Sequence, residues 1–154
     1  MKKVLDACCG SRMFYYNKYN KNVLFMDKRE LSTHLCDGRE LIIKPDIVAD
    51  FTNMPFEDEI FNLVIFGPPH LEKVGDKSWL AIKYGKLRGD WRSELKKGFQ
   101  ECWRVLRKGG TLLFKWNETD TKVSEMIKLF EQEPLIYNRR DKTIWIVYYK
   151  GVKE

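Results

Sequence analysis

The chain has 154 residues, of which 44% are hydrophobic, and its 28 basic and 22 acidic residues give a net charge of +6. This composition excludes an intrinsically disordered chain, and the lack of a long apolar run excludes a membrane-spanning helix. The length fits one domain over residues 1–154, and the positive charge suits an anionic partner without requiring one. The four cysteines lack zinc-finger spacing, so we predict reduced thiols in a cytoplasmic protein without a metal site.

Strands and helices alternate along the first half of the sequence, which is typical of a mainly parallel sheet with helices on both faces. The predicted elements here are a strand at 3–7, a short helix at 11–19, a strand at 23–27, an ambiguous segment at 29–41, and strands at 46–50 and 61–66. The last of these strands ends at Gly67-Pro68-Pro69-His70, because two prolines cannot continue a central ladder.

The second half opens with a long basic loop, predicted over residues 71–90, and a helix that ends at Gly109-Gly110. The apolar stripe of this helix is Leu95, Phe99, Cys102 and Leu106. The remaining predicted elements are a strand at 111–116, a helix at 121–132, and a closing pair of strands at 135–137 and 143–149 joined by a turn at 138–141. The pattern predicts an α/β fold with a mostly parallel seven-stranded sheet and a C-terminal antiparallel hairpin.

An aspartate ends each of the first three predicted strands: Asp6, Asp27 and Asp50. A single aspartate after a strand most often caps a helix or forms a turn. Three of them at successive strand ends favour a ligand site, because ligands of such sheets bind beyond the carboxyl ends of the strands. The second aspartate could accept hydrogen bonds from both ribose hydroxyls, and the third from the amino group of adenine. We therefore predict a nucleotide-like cofactor.

These motifs resemble those of class I S-adenosylmethionine-dependent methyltransferases over nearly the whole chain. Asp6-Ala7-Cys8-Cys9-Gly10 is similar to the family's first motif, Asp27 to its ribose-binding acid, and Ala49-Asp50-Phe51 to its adenine-contact motif. Residues 101–110 are similar to its helix-to-strand-five signature. The resemblance implies a Rossmann-like three-layer sandwich, S-adenosyl-L-methionine as cofactor, and a cofactor site that comprises Asp6, Ala7, Cys8, Gly10, Asp27, Lys28, Asp50, Phe51 and Gly67.

The first motif departs from the family's commonest form. Only Gly10 matches its three alternating glycines, with Cys8 and Arg12 in the other two places. This departure also disfavours a dinucleotide-dependent oxidoreductase, which needs the full glycine run. The motif is closer to the variant found in amino-methyltransferases, in which a small or apolar pair precedes the glycine.

The segment Gly67-Pro68-Pro69-His70 resembles the Asp/Asn-Pro-Pro-aromatic motif of enzymes that methylate exocyclic amino groups. In those enzymes the first side chain and the next carbonyl accept hydrogen bonds from the target nitrogen, and the fourth residue stacks on the base. Here Gly67 lacks that side chain, the carbonyls of Gly67 and Pro68 remain, and His70 could stack or accept a proton. The resemblance implies that these four residues form the catalytic turn. A bare turn that shapes the cofactor pocket and an altered version of an active parent are the alternatives.

Basic and aromatic side chains alternate after this turn, where a substrate lid would lie. Such side chains can neutralise phosphates and stack on bases, but a solvated loop with inward-packed aromatics accounts for them equally well. They are Lys73, Lys77, Trp79, Lys83, Tyr84, Lys86, Arg88, Trp91 and Arg92.

The first functional hypothesis is an amino-group methyltransferase that acts on a nucleic acid base, DNA or RNA. The lack of an appended recognition domain favours a small, flexible or single-stranded target, or help from a homo-oligomer or a helper protein. The second hypothesis keeps the cofactor and changes the acceptor to a small molecule or a protein side chain. The third is a non-catalytic S-adenosylmethionine-binding protein.

Overall fold

A computed structural model describes residues 1–153 and contains nine strands and three helices within that range. The strands are β1 (Val4–Asp6), β2 (Val23–Asp27), β3 (Leu31–His34), β4 (Glu40–Ile43), β5 (Ile47–Val48), β6 (Phe61–Phe66), β7 (Leu106–Asn117), β8 (Ile136–Arg140) and β9 (Thr143–Tyr149). The helices are α1 (Trp79–Tyr84), α2 (Trp91–Val105) and α3 (Val123–Phe130). No helix in the described range is long and apolar enough to cross a membrane.

Seven strands form one sheet in the order β5-β2-β1-β6-β7-β9-β8. The strands from β5 to β7 are parallel, whereas β9 runs antiparallel to both β7 and β8. The predicted fold class, a mostly parallel seven-stranded sheet with a closing antiparallel hairpin, is therefore confirmed. The chain moves outward in one direction from β1 and in the other from β6, so the carboxyl ends of these two strands flank a topological switch point.

The main core lies between the sheet and the helices α2 and α3. Alternate residues of the central strands point to this face and are fully buried, among them Leu5, Phe66 and Phe114. The two helices meet through Phe99 and Phe130, whose rings stack with centroids 4.3 Å apart. This stacking holds α2 against the strands whose ends form the switch point.

Gly98 lets α2 approach the sheet closely. A Cβ atom at this position would lie 2.7 Å from Cδ1 of Phe51 and 2.9 Å from Cζ of Phe66. In an exposed helix Gly→Ala stabilises by about 1 kcal/mol, but here we expect overpacking to destabilise the fold by about 1–3 kcal/mol. Urea unfolding of Gly98→Ala, with the exposed Gln100→Ala as the control on the same helix, measures this effect. A more stable Gly98→Ala protein would contradict it.

The opposite face of the sheet differs from the prediction, because the expected helix at 11–19 is absent. Residues 10–22 form a series of turns instead. Gly10 and Arg12 have φ angles of 49° and 59°, and the side chains of Asn17 and Asn20 accept hydrogen bonds from nearby backbone N–H groups. Such local bonds compete with helix formation. We predicted helices on both faces of the sheet, and on this face turns take the place of the predicted helix.

Several boundaries also differ from the prediction. The β3–β4 hairpin begins in the ambiguous segment 29–41 and extends beyond it to Ile43, and the predicted third strand at 46–50 is reduced to β5. The loop predicted over 71–90 contains the short helix α1. The closing turn lies at Asp141-Lys142 rather than over 138–141, because Asp141 adopts the left-handed conformation with φ 56°.

Candidate functional site

Three neighbouring cavities open beside the switch point. The turn cavity, about 330 Å³, lies between the turn after β1, residues 67–70 and the end of β7. The slot, about 550 Å³, lies beside the ends of β1, β2 and β5. The hairpin cavity, about 780 Å³, lies between the turns at 11–19 and the β3–β4 hairpin. The turn cavity and the slot share Cys8 and Arg29 on their walls, so they meet at the switch point.

The turn after β1 is built around the buried carboxylate of Asp6. One of its oxygens accepts a hydrogen bond from the N–H of Cys8 at 3.1 Å, and the other accepts one from the hydroxyl of Tyr15 at 2.8 Å. The side chain is fully buried and lies on no cavity wall. Burial raises the pKa of Asp6 to about 7, and these two hydrogen bonds limit the rise. The structure therefore places Asp6 beneath the turn, where it holds the backbone, rather than against a ligand.

The two adjacent cysteines of this turn are thiols at neutral pH. Burial raises the pKa of Cys8 well above its ordinary value and the pKa of Cys9 to about 12. Cys8 lines both the turn cavity and the slot, and Cys9 lines the turn cavity and packs with Val23 and Phe25. Within residues 1–153 no three His, Cys, Asp or Glu side chains are grouped closely enough to hold a metal ion.

Asp27 connects the end of β2 to the turn after β1. Its Oδ2 accepts a hydrogen bond from the N–H of Gly10 at 2.8 Å, and its Oδ1 accepts one from the N–H of Arg29 at 2.9 Å. The carboxylate is 2% exposed and forms part of the slot wall. Gly10 has a φ of 49°, and a Cβ atom there would meet no atom within 4 Å. The backbone at Gly10 thus faces open space in the turn cavity.

The slot combines an apolar interior with a charged rim. Leu31, Ala49, Phe51, Leu87 and Leu95 form apolar walls on which a flat ring can lie. Asp27, Lys28 and Arg29 add charged groups at the β2 end. Asp50 differs from the expectation in its position: it is exposed and lies beside this wall rather than on it. Its Oδ1 accepts hydrogen bonds from the N–H and the hydroxyl of Thr52, both at 2.8 Å.

The turn Gly67-Pro68-Pro69-His70 separates the two cavities. Gly67, Pro68 and His70 line the turn cavity, and Pro69 lines the slot. A Cβ atom at position 67 would meet only Cβ of Lys115, at 3.9 Å, so a side chain fits there. Burial, together with the ammonium of Lys115, lowers the pKa of His70 to about 4. The imidazole is therefore neutral at pH 7 and can stack or accept a hydrogen bond.

Residues 71–90, which we call the lid, form part of the walls of the turn cavity and the slot, and reach the hairpin cavity through Lys83 alone. Arg29 donates a hydrogen bond to the carbonyl of Ile82 at 2.9 Å, and Asp120 accepts hydrogen bonds from the N–H groups of Glu72 and Lys73 at 2.7 and 3.0 Å. The N–H of Leu87 donates to the carbonyl of Leu71 at 2.8 Å and closes the base of the lid. The segment that the sequence suggested as a substrate lid thus lies at the walls of the cavities, and its role as a lid stays a prediction.

Most of the predicted site residues lie together on these walls, in the turn cavity or the slot: Ala7, Cys8, Gly10, Asp27, Lys28, Phe51, Gly67, Pro68, Pro69 and His70. Asp6 and Asp50 do not. The sequence did not single out Arg29 or Asn117, both on the wall of the turn cavity. The position of Asn117 at the end of a predicted central strand is the signal that could have indicated it.

Trp116 has a structural position in the core rather than a place on a cavity wall. Its side chain is fully buried, and its indole N–H donates a hydrogen bond to the carbonyl of Thr121 at 2.8 Å. The neighbouring Lys115 lines the turn cavity, and burial lowers its pKa. At this strand end Lys115 is therefore available to a ligand and Trp116 is not.

The chain matches no protein-family profile and no curated protein, whereas several solved structures share its fold. The PH0226 protein from Pyrococcus horikoshii OT3 is 16% identical with a TM-score of 0.64, over 96% of this chain and 81% of that one. A chain in the complex of the Haloferax volcanii Trm112 methyltransferase activator with a candidate methyltransferase is 13% identical with a TM-score of 0.53, over 97% of this chain and 82% of that one. The candidate methylase HI0767 from Haemophilus influenzae is 12% identical with a TM-score of 0.50, over 99% of this chain and 88% of that one. The chain therefore has the mostly parallel, Rossmann-like fold found in these proteins.

Proposed function

We propose that this protein is an S-adenosyl-L-methionine-dependent methyltransferase. The observation that carries the proposal is the meeting of the slot and the turn cavity at the switch point, with the Asp27 carboxylate on one wall and the Gly67–His70 turn between them. A long ligand with a flat ring at one end and a reactive group in the middle fits this arrangement. The naming of two fold neighbours as candidate methyltransferases supports it.

The residues around the slot suit the adenosine half of this cofactor. The Asp27 carboxylate is engaged by two backbone hydrogen bonds and by the Nε of Arg29, which lies 3.5 Å from Oδ1. It has lone pairs left with which it can accept the ribose hydroxyls. Ala49 and Phe51 would lie against the purine, with Asp50 beside them for its amino group. Cys8 and the open backbone at Gly10 would face the methionine half, because they line the adjoining turn cavity. Lys28 and Gly67 would complete the site.

The cofactor brings a methyl group that its sulfonium already makes electrophilic, so the protein has mainly to position the acceptor. In the proposed reaction the carbonyls of Gly67 and Pro68 accept hydrogen bonds from the acceptor's amino group. Pro69 fixes the direction of the turn. His70, neutral at pH 7, stacks on the acceptor or receives its proton.

For the acceptor, we propose an amino group of a nucleic acid base. The rings of His70 and Tyr84 lie beside the turn cavity with centroids 5.9 Å apart, and they offer flat surfaces to a base. The net charge of +6 suits a polyanion. The second candidate for the methyl acceptor is a small molecule or a protein side chain. Gly67 favours it, because no side chain at this position accepts a hydrogen bond from an amino group. A protein that binds the cofactor without catalysing methyl transfer is the third candidate function.

A helper protein or a second copy of the chain belongs to the same proposal. Within residues 1–153 the chain has no separate recognition module beyond the sheet, its helices and the hairpin. One fold neighbour is found in complex with a methyltransferase activator. Light scattering of the purified protein, alone and after capture from a lysate, distinguishes a monomer, a dimer and a hetero-complex.

Two measurements test the proposed function. Calorimetry with S-adenosylmethionine should show binding at one site per chain. Cofactor labelled in its methyl group, incubated with the protein and a lysate, should then transfer label to the nucleic acid fraction rather than to the protein or metabolite fractions. Binding without transfer to any fraction would favour the non-catalytic alternative, and a lack of cofactor binding would refute the proposal.

The missing side chain at position 67 can be restored. We expect Gly67→Asn to fold normally, because its Cβ would make only an ordinary contact with Lys115. The new amide oxygen should accept a second hydrogen bond from the amino group and raise the rate of base methylation about tenfold. Gly67→Ala is the control, since it fills the same space without an acceptor. If the Asn and Ala variants transfer methyl groups at equal rates, the acceptor is not an amino group held at this turn.

A further inference from the structure

Lys83 is a nearly buried cation without an anionic partner. Its side chain belongs to α1, in the lid, and the residue is only 8% exposed. Within residues 1–153 its ammonium makes neither a hydrogen bond nor an ion pair. It lies instead 5.8 Å from the ring centroid of Trp79 and 5.1 Å from that of Tyr84. Because a buried charge is costly unless it is paired, this ammonium is suited to an anion that comes from outside the chain.

The position of Lys83 links two of the cavities. It lines the turn cavity and also the hairpin cavity, and these share Ser11 and Met13 as well. The hairpin cavity is more than twice the size of the turn cavity. A ligand long enough to occupy both would pass the Lys83 ammonium at their junction.

The hairpin cavity is predominantly basic. Its charged lining residues are Arg12, Lys18, Arg39, Lys44, Lys83, Glu40 and Asp46. Asp46 is already engaged, since it accepts hydrogen bonds from Lys2 and from the N–H of Phe25. The ammonium groups of Lys18 and Lys44, like that of Lys83, make no ion pair within the described range. The guanidinium of Arg39 is paired with Asp37. Among the described residues, the cavity therefore presents three unpaired ammonium groups to a ligand, against the one unpaired carboxylate of Glu40.

Aromatic groups flank this basic cavity. Trp79 is 37% exposed, and its ring centroid lies 5.8 Å from the ammonium of Lys83 and 5.7 Å from the guanidinium carbon of Arg39. Tyr19, on the cavity wall, is 81% exposed. Cations that alternate with exposed rings are the arrangement that binds single-stranded nucleic acids, by phosphate neutralisation and base stacking.

We propose that the hairpin cavity binds the backbone of a single-stranded nucleic acid, and that Lys83 contacts the phosphate next to the base that enters the turn cavity. This inference rests on the proposed function and assigns its acceptor to a strand rather than a free base. A duplex is disfavoured, because the base must leave its stack to reach the turn cavity beneath the lid.

The test measures binding of labelled single strands of about twelve nucleotides, one of DNA and one of RNA, by fluorescence anisotropy. Lys83→Met keeps the length of the buried side chain and removes its charge. We expect it to weaken binding about tenfold and to reduce the slope of log affinity against log salt by about 0.7. Lys83→Arg should restore most of the affinity. The comparison of the two strands shows which nucleic acid is bound.

Matched controls separate a phosphate contact at Lys83 from diffuse charge attraction and from misfolding. Lys97→Met removes an exposed lysine from α2, outside the three cavities, and should leave binding nearly unchanged. Thermal unfolding of all variants shows that each is folded. Calorimetry with S-adenosylmethionine should give the same affinity for wild type and Lys83→Met.

Three results would overturn the inference. Equal losses in Lys83→Met and Lys97→Met would indicate diffuse charge attraction. A loss of cofactor affinity with unchanged strand binding would assign Lys83 to the carboxylate of the cofactor. A wild-type protein that binds the cofactor but neither strand would refute the nucleic acid site alone, whereas failure to bind the cofactor would refute the proposed function itself.

Discussion

Replacement of Asp27 by Asn should weaken S-adenosylmethionine binding about a hundredfold. The charged carboxylate would accept hydrogen bonds from two ribose hydroxyls, and hydrogen bonds to charged groups contribute about 1.5–3 kcal/mol each. The substitution also acts on the turn after β1. The carboxylate accepts a hydrogen bond from the N–H of Gly10 at 2.8 Å through one oxygen and one from the N–H of Arg29 at 2.9 Å through the other. The amide nitrogen of Asn cannot accept, so the variant loses one of these two hydrogen bonds.

Calorimetry gives the dissociation constant, and urea unfolding separates lost affinity from lost stability. Asp141→Asn is a matched control, because this residue is exposed at the β8–β9 turn and its left-handed conformation is one that Asn adopts readily. We expect the control to bind the cofactor as the wild type does. An Asp27→Asn protein with unchanged affinity would remove Asp27 from the site and with it the orientation proposed for the cofactor.

The parts of the fold that were predictable are those in which local sequence and burial agree. Strand β6 begins and ends where the sequence predicted, since all its residues except Asn62 are apolar and the two prolines that follow stop the ladder. The same is true of β2, which ends at Asp27. These two strands carry the carboxylate and the turn on which the candidate site depends, so most of the site was also predictable.

The segments that were predicted wrongly are those in which local backbone bonds compete with periodicity. Gly10 and Arg12 adopt positive φ angles, which end any helix before it begins. The β3–β4 hairpin was missed although Asp37-Gly38, a typical hairpin turn, lies at its centre. Lys83 was noted only as one of several basic residues, because its burial depends on how α1 folds over the cavities.

Asp6 and Asp27 have similar positions at the ends of adjacent strands, yet the structure gives them different electrostatic roles. Asp27 stays on the slot wall, where a ligand can reach it. Asp6 is enclosed, and the charge of Asp27 adds to the effect of burial in raising its pKa. The turn on which the candidate cofactor site is built therefore contains a carboxyl group that gains or loses its proton near neutral pH.

The stability of the protein should consequently depend on the ionisation of Asp6. Its pKa is 3.8 in the unfolded chain and about 7 in the folded protein, so between these values the folded state holds a proton that the unfolded state has lost. The contribution that the protonated Asp6 carboxyl group makes to the free energy of unfolding is fully present below pH 4. It is lost as the pH rises through 7, where the group ionises in the folded protein. Over this pH range the free energy of unfolding should fall by about 4 kcal/mol.

Asp6→Asn should abolish this dependence, because a neutral amide of the same shape can still accept the hydrogen bond from Cys8 and pair with the Tyr15 hydroxyl. We expect the variant to match the wild type near pH 4 and to be the more stable protein at pH 8, in urea unfolding across this range. Glu133→Gln, at an exposed position, should leave the wild-type curve unchanged. If wild type and Asp6→Asn run parallel from pH 4 to pH 8, the buried carboxyl titrates as it does in water, and the enclosed turn that the cofactor site requires is instead open to solvent.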